Sequence, residues 1–316
     1  MANCCGGVLA AEVSKAGGLG LVGHAASLEV LQKEVDKGRE HLGLNDTQAL
    51  PFGVGLVLWK IEEPEVTRAE AATLSSSFLE YVATTPFHSI WLSFSPHLEE
   101  WVTSYRQAEA RVGTGKRAFV FVMASRTEDT IAASEWYGVD AVVAQGTEAG
   151  GHGPSHELGM PLDKLLDKVS PHFSPSKSPF LLAAGGLSSA TSIAAVVTRY
   201  PSVAGIVVGT AFTVATESLW TTSQKELVCR TVSADETDRG LEWDKIRNAM
   251  GWPAGVDGRA IRNRTRGRQD SVYGQQGKQG DGPNLDEVGT WAGTGVGEVR
   301  SIKPAAEILH DLASQL

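Results

Sequence analysis

Residues 140–154, DAVVAQGTEAGGHGP, decide the fold class of this chain. The run Asp140–Ala144 places apolar residues at consecutive positions, and a glycine-rich segment with His152 follows it directly. A strand without apolar–polar alternation is typical of a parallel sheet that is buried on both faces. The stretch therefore predicts a strand of a parallel α/β fold, which ends in a turn that carries a histidine.

The same unit, an apolar run followed by a helix-like stretch, repeats along the chain. Seven runs are predicted to be strands: Leu19–Val22, Phe52–Leu58, Ser89–Phe94, Ala118–Met123, Asp140–Ala144, Phe180–Ala184 and Gly205–Gly209. Repeated βα units favour a TIM (β/α)8-type barrel or a doubly wound sheet. The helix-like stretch Gly7–Lys15 has no strand in front of it, so we expect an open fold or a barrel whose first strand is missing.

The composition changes after the last predicted strand. Charged residues and glycine dominate from Ser233 to Gly297, and no strand is predicted there. We interpret residues 233–300 as a partly irregular cap on a barrel core of residues 1–232. The arginine-rich stretch 258–268 is a candidate phosphate site, although a solvated helical face with its own acidic partners is the more common alternative. Residues 301–316 are predicted to form a closing helix.

Composition argues against several classes of protein. The 316 residues carry a net charge of −9, which does not favour general binding to nucleic acids or anionic membranes. The sequence contains no run of about 18 apolar residues, and its three cysteines do not form a spaced disulfide framework. We therefore expect a cytoplasmic protein in a reducing compartment, without a metal site. The sequence does not indicate the oligomeric state.

Glycines follow two consecutive predicted strands. The turns are Ala184–Gly186 and Gly209–Thr210. In parallel α/β folds, ligands bind beyond the carboxyl ends of the strands, and TIM barrels often hold a phosphate at the turns after strands seven and eight. Glycine lets backbone N–H groups approach a phosphate because it has no Cβ. The two turns therefore predict a phosphorylated cofactor.

Six motifs occur in order along the chain: VSKAGGLGLVG (13–23), AQGTEAGGHG (144–153), LAAGGLSSA (182–190), VVGTAFTVATES (207–218), GRAIRN (258–263) and WAGTGVG (291–297). Together they resemble the pattern of the nitronate monooxygenase family, formerly called 2-nitropropane dioxygenases, whose members are FMN-dependent TIM barrels. In that family the first strand ends in a Pro–Met pair. Met1 aligns with this methionine, so the resemblance implies a barrel whose first strand is missing at the N-terminus.

The resemblance also assigns roles to particular residues. It implies cofactor contacts from eleven residues: Met1, Ala2, Asn3, Gln145, Gly150, Gly151, Gly185, Gly186, Val208, Gly209 and Thr210. It makes His152 the catalytic base, since nitroalkanes are carbon acids and imidazole has a pKa near neutrality. Without the resemblance, a single histidine is more often structural. His156 and His24 are weaker candidates, and Glu148 is expected to support the loop by hydrogen bonding.

The implied function is FMN-dependent oxidation of alkyl nitronates, and of nitroalkanes where these are accepted, by O₂ to a carbonyl compound and nitrite. Two alternatives stay open. An FMN-dependent enoyl-[acyl-carrier-protein] reductase would share the barrel and reduce a double bond with NAD(P)H. A flavin-binding protein inactivated by N-terminal truncation would do neither. Gly55 departs from the family, many of whose members have an asparagine beside the flavin there, and Trp59 lies close to it in the sequence.

Overall fold

The computed structural model describes residues 4–23, 27–62, 68–112, 115–266, 278–279 and 282–316. The predicted cofactor contacts Met1, Ala2 and Asn3 lie outside the described residues, as do His24 and Arg268. The strands of the described part are β1 (Leu21–Val22), β2 (Gly53–Val57), β3 (Ser89–Ser93), β4 (Phe119–Ala124), β5 (Ala141–Gln145), β6 (Gly151–Pro154), β7 (Phe180–Ala184), β8 (Val203–Val207), β9 (Thr237–Gly240), β10 (Val256–Ile261), β11 (Lys278–Gln279) and β12 (Gly282–Pro283).

The α-helices of the same part are α1 (Gly7–Lys15), α2 (Leu28–His41), α3 (Arg68–Thr84), α4 (Leu98–Val112), α5 (Thr127–Ala133), α6 (Leu162–Val169), α7 (Ala190–Arg199), α8 (Thr210–Thr213), α9 (Thr222–Arg230), α10 (Glu242–Ile246) and α11 (Ala305–Ala313). Short 3-10 helices occur at Leu58–Lys60, Ser170–His172, Ala234–Glu236 and Thr294–Glu298.

Seven of these strands form one parallel sheet in the order β1-β2-β3-β4-β5-β7-β8. Each neighbouring pair is parallel, and helices lie between successive strands of this sheet in the chain. The sheet is curled, as in a barrel of the (β/α)8 type, and the predicted fold class is confirmed. Within the described residues no ladder joins β8 to β1, so these two strands are its edges.

Burial explains why the strand sequences lack alternation. All five residues of β5 are buried, and β2 and β3 each bury four of their five residues. The last strand of the sheet covers Val203–Val207 and not the predicted Gly205–Gly209. β8 lies at an edge of the sheet and buries only Val203. Its apolar pattern therefore defines the bounds of the strand less well than the patterns of the buried strands do.

The first described residues contact two distant parts of the chain, the edge strand β1 and the segment after α8. Gly23, directly after β1, donates its N–H to the carbonyl of Cys5 (2.9 Å). Leu219, which follows β8 and α8, donates its N–H to the carbonyl of Cys4 (3.0 Å). The Cys5 thiol donates to the carbonyl of Leu21 (2.7 Å). The backbone before α1 therefore links the β1 edge to the chain that follows α8 by hydrogen bonds.

The segment after residue 232 contains strands that the sequence analysis did not predict. β10 pairs antiparallel with both β6 and β9, which gives a three-stranded sheet in the order β6-β10-β9. The expectation of a cap without strands was wrong because the strands are short and bury the charged residues Arg239 and Arg259. These side chains bind polar partners, so no apolar run marks the strands. Helix α11 lies within the predicted closing segment.

The described part of the arginine-rich stretch pairs with carboxylates, as the alternative to a phosphate site predicts. Arg266 binds Asp238 (2.9 Å) and Glu242 (2.5 Å), and Arg262 lies 3.5 Å from Asp238. The expected helical face was wrong, since residues 258–261 belong to β10 and turns follow them.

Asp140 provides a test of what stabilises the parallel sheet. It is buried directly before β5, and its carboxylate accepts hydrogen bonds from Arg106 (2.5 Å), Arg117 (2.7 Å) and the N–H of Val120 (2.8 Å). We predict that Asp140→Ala lowers the free energy of unfolding by about 3 kcal/mol, because it removes a partner of the buried Arg106 guanidinium. Urea unfolding followed by circular dichroism measures the change.

The control is Glu29→Ala, which removes the exposed ion pair between Glu29 and Lys33 (2.7 Å). This variant should change the free energy of unfolding by less than ~1 kcal/mol, since solvent screens exposed pairs. Similar losses in the two variants would contradict the assigned role of Asp140.

Candidate active site

His152 lies on a short strand, and the predicted loop at this position is therefore wrong. It is the second residue of β6, directly opposite Gly258 of β10. A Cβ at Gly258 would lie 2.4 Å from the indole of Trp291 and 3.3 Å from Nε2 of His152, so glycine leaves room for both rings. Gly151 has a φ of +72° with no atom within 4 Å of its Cβ position, and it allows the sharp turn into β6.

The imidazole of His152 is enclosed by one carboxylate and two indoles. Nε2 lies 3.0 Å from both Oδ1 and Oδ2 of Asp244, which belongs to α10. The ring of Trp252 stacks on the imidazole with 3.5 Å between centroids and an interplanar angle of 10°. Trp291 lies 4.8 Å away at a tilt of 56°. The His152 side chain is 12% exposed and that of Asp244 is 2% exposed, so the pair is shielded from water.

Burial determines the charge state of this imidazole. Burial lowers the pKa of His152 below its usual value, while the hydrogen bond and the charge of Asp244 act in the opposite direction. The positive charge of Arg239 adds to the lowering. His152 is therefore neutral near pH 7, which is the form that can accept a proton.

Two buried arginines of the cap sheet hold the segment that joins β5 to β6. Arg239 donates from Nη1 to the carbonyls of Thr147 and Ala149, both at 3.3 Å. Arg259 donates from Nε to the carbonyl of Thr147 (3.0 Å). Arg239 is itself paired with Asp257 (2.6 Å) on β10. Because this segment lacks regular backbone pairing, the guanidinium groups satisfy carbonyls that would otherwise be buried without donors.

Gln145 and Glu148 also position the segment. The Gln145 side chain donates from Nε2 to the carbonyl of His152 (3.0 Å), which links the end of β5 to β6. Both carboxylate oxygens of Glu148 accept the N–H of Leu162, at 3.1 and 2.9 Å, at the start of α6. Burial raises the pKa of Glu148. Glu148 thus has the supporting role that the sequence predicted.

The predicted cofactor glycines meet the segment after Trp291. A Cβ on Gly150 would lie 2.4 Å from the N atom of Gly293, and the N–H of Gly293 donates to Oγ1 of Thr210 (3.0 Å). A Cβ on Gly186 would lie 2.9 Å from Oγ1 of Thr294. The ends of β7 and β8 and the segment after β5 therefore converge on Gly293 and Thr294.

The conformations of the predicted turns differ in one respect. Gly185 and Gly186 have φ values of +118° and +72°, which favour glycine, whereas Gly209 has a φ of −115°. Val208 is partly buried and packs against an apolar cluster that includes Ala183 and Phe212. Of the weaker candidates, His156 lies two residues after the end of β6 and is exposed.

Sequence reasoning missed Asp244, Trp252 and Arg239. Asp244 is 92 positions from His152, and neither it nor Trp252 belongs to a quoted motif. Trp291 belongs to the C-terminal motif WAGTGVG, but the sequence did not assign it a role. Trp59, which the sequence placed close to Gly55, lies at the candidate site, because its ring is 5.0 Å from that of Trp252.

A family model described as nitronate monooxygenase matches residues 1–315. The chain belongs to the nitronate monooxygenase family. A relative named "Nitronate monooxygenase npaC", from Metarhizium robertsii, is 29% identical to this family member over 97% of this chain and 86% of the relative.

Two solved structures share the fold of this nitronate monooxygenase family member. Nitroalkane oxidase from Streptomyces ansochromogenes is 22% identical, with a TM-score of 0.71 over 99% of this chain and 92% of that one. FabK from Thermotoga maritima is 20% identical, with a TM-score of 0.70 over 100% of this chain and 90% of that one. At these identities the similarity concerns the fold alone.

Two kinds of feature are absent from the described residues. No described helix combines the length and the apolar character that crossing a bilayer requires. The described residues also contain no group of three or more His, Cys, Asp or Glu side chains arranged to hold a metal ion.

The lowered pKa of His152 leads to a titration experiment. We predict that His152 titrates below 6.5, the usual value for histidine, because burial disfavours the imidazolium. As the pH falls, His152 therefore stays neutral to a lower pH than an exposed histidine does. NMR of histidine-labelled protein measures the midpoint, and the His152→Asn spectrum assigns the resonance. A midpoint above 6.5 would mean that Asp244 outweighs burial.

Proposed function

We propose that the protein is an FMN-dependent enzyme that oxidises alkyl nitronates with O₂ to a carbonyl compound and nitrite. We extend the proposal to neutral nitroalkanes as substrates and to a cytoplasmic location. The observation that carries it is His152, a neutral and shielded imidazole next to the carboxyl ends of the parallel strands in a member of the nitronate monooxygenase family.

The strand ends fit the phosphate of a flavin mononucleotide. Gly185 and Gly186 present backbone without a Cβ at positive φ, and the hydroxyls of Thr210 and Thr294 lie close to the same strand ends. Backbone N–H groups and hydroxyls are suitable donors to a phosphate. When bound, FMN would accept electrons from the nitronate and pass them to O₂.

Two indole groups, Trp252 on the imidazole of His152 and Trp59 against Trp252, are suited to an anionic substrate. The Nε1 atoms of Trp59 and Trp252 are buried and have no hydrogen-bond partner within the described part of the chain. A nitronate carries its negative charge on two oxygens, which accept hydrogen bonds. We propose that these donors lie in the wall that contacts the nitronate.

His152 has a different task for each substrate. A neutral nitroalkane must lose its α-proton, and His152 accepts that proton because its imidazole is neutral. A nitronate has already lost the proton, so His152 only contacts or orients it. Trp252 and Trp291 cover the imidazole and exclude water from the proton transfer.

A flavin-dependent enoyl thioester reductase is the second candidate, because the FabK structure covers the whole chain at a TM-score of 0.70. Oxygen uptake with propionate 3-nitronate, compared with NADH consumption with a crotonyl thioester, separates the two activities. Nitrite release with the nitronate would support our proposal. A purified protein that does not retain flavin would favour the third reading, a protein without either activity.

The role of His152 is tested by its isosteric replacement. We predict that His152→Asn lowers the rate with nitroethane by ~10²–10⁴-fold, the usual contribution of a general base, and the rate with ethyl nitronate much less. Both rates are measured as O₂ uptake on flavin-loaded protein. His156→Asn, which changes an exposed histidine, should leave both rates unchanged. Equal losses on the two substrates would mean that His152 only binds the anion.

The phosphate site is tested by Gly186→Val. We predict that this variant loses its flavin, because a side chain there blocks the approach of the backbone to the phosphate. The matched control is Gly43→Val, since Gly43 also has a positive φ (+65°) but no atom within 4 Å of its Cβ position. Flavin absorbance per protein, with thermal melting of both variants, gives the result. Full flavin occupancy in Gly186→Val would place the phosphate elsewhere.

A further inference from the structure

The contact between Asp244 and His152 determines which ring nitrogen carries the proton. Both carboxylate oxygens lie 3.0 Å from Nε2. An ionised carboxylate only accepts hydrogen bonds, so Nε2 must be the donor. A neutral imidazole has one N–H, which leaves Nδ1 without a proton. Nδ1 has no hydrogen-bond partner among the described residues.

Asp244 is held rigidly in place on the cap. Its own N–H donates to the carbonyl of Leu241 (3.1 Å), and its carbonyl accepts the N–H of Ala249 (2.9 Å). Its neighbour Trp243 is fully buried and donates from Nε1 to Oδ1 of Asn263 (2.9 Å). The carboxylate therefore keeps its position relative to β6 without depending on the imidazole.

The surroundings prevent the imidazole from turning over. Trp252 covers one face of the ring at 3.5 Å, and Trp291 contacts it from a second direction. Two charged side chains act on the ring, Arg239 and Asp244. Arg239 forms an ion pair with Asp257, whereas the one ion pair of Asp244 within the described residues is with His152. A ring flip would replace the Nε2–Asp244 hydrogen bond by a carbon–oxygen contact and is unfavourable.

We propose that Asp244 is a positioning residue for His152, which fixes the Nε2–H tautomer and makes Nδ1 the nitrogen that accepts the proton of the substrate. The proton transfer in this proposal rests on the proposed function. The assignment of the tautomer does not, because it follows from the contact with Asp244 alone. Asp244 itself does not contact the substrate. It acts by setting the orientation and the protonated edge of the ring, as carboxylates do for catalytic histidines elsewhere.

The first experiment determines the tautomer in the wild-type protein. ¹⁵N NMR of histidine-labelled protein distinguishes a protonated ring nitrogen from an unprotonated one, and the couplings to the ring C–H protons tell Nδ1 from Nε2. We expect a protonated Nε2 and an unprotonated Nδ1 at a pH above the pKa of His152. An unprotonated Nε2 would overturn the proposal. This measurement needs neither substrate nor variant, so it stands even if Asp244→Asn fails to fold.

The second experiment compares Asp244→Asn with Glu242→Gln, a carboxylate on the same helix that pairs with Arg266 and not with His152. We expect Asp244→Asn to lose the single tautomer and to slow nitroethane oxidation by ~10²-fold, since the wrong tautomer removes much of a general base's contribution. The rate with ethyl nitronate should change far less, and Glu242→Gln should match wild type in both. An unchanged nitroethane rate in folded Asp244→Asn would overturn the proposal.

The two experiments separate the failure of this proposal from failure of the proposed function. A wild-type protein with the expected tautomer but no activity on either nitro substrate would contradict the function alone. A wild-type protein that oxidises nitroethane but carries its proton on Nδ1 would contradict the role of Asp244 alone.

Discussion

The antiparallel ladder between β6 and β10 is the constraint on which the candidate site depends. β6 is a four-residue strand that leaves the parallel sheet just after β5, and β10 pairs with it residue by residue. Without that ladder, neither the direction of the His152 side chain nor its distance from Asp244 would be defined. The cap is therefore part of the framework of the candidate site, and the parallel sheet supplies only the edge from which that framework starts.

The contact between the cap sheet and the segment that joins β5 to β6 is made by charged side chains and not by apolar packing. Carbonyl groups of the segment between β5 and β6 are buried, and the guanidinium groups of Arg239 and Arg259 donate hydrogen bonds to them. Burial lowers the pKa of both guanidinium groups. Arg239 is compensated by Asp257, so the buried charge is paired and its desolvation is partly offset.

The parallel sheet was predictable from sequence because strands such as β2, β3 and β5 are buried on both faces and must be apolar. β7 was predicted to the residue, and β5 was shifted by one. His152 was found through its motif, and its neighbours were not. Asp244, Trp252 and Arg239 come from a segment whose strands bury polar side chains, and no period or spacing relates them to β6. The need for glycine at position 258 follows only from the structure, because the rings of His152 and Trp291 both lie close to where a Cβ would be.

The distance along the chain between β6 and β10 has a consequence for folding. The contacts that complete the site span 92 residues for His152 with Asp244 and 112 for Arg259 with Thr147. Closing such long loops is slow compared with forming local βα units. During synthesis, the strands of the parallel sheet emerge and can pair before residue 256 exists. The segment that carries the histidine pairs only after that partner is made, so the candidate site is expected to be among the last parts of the molecule to become native.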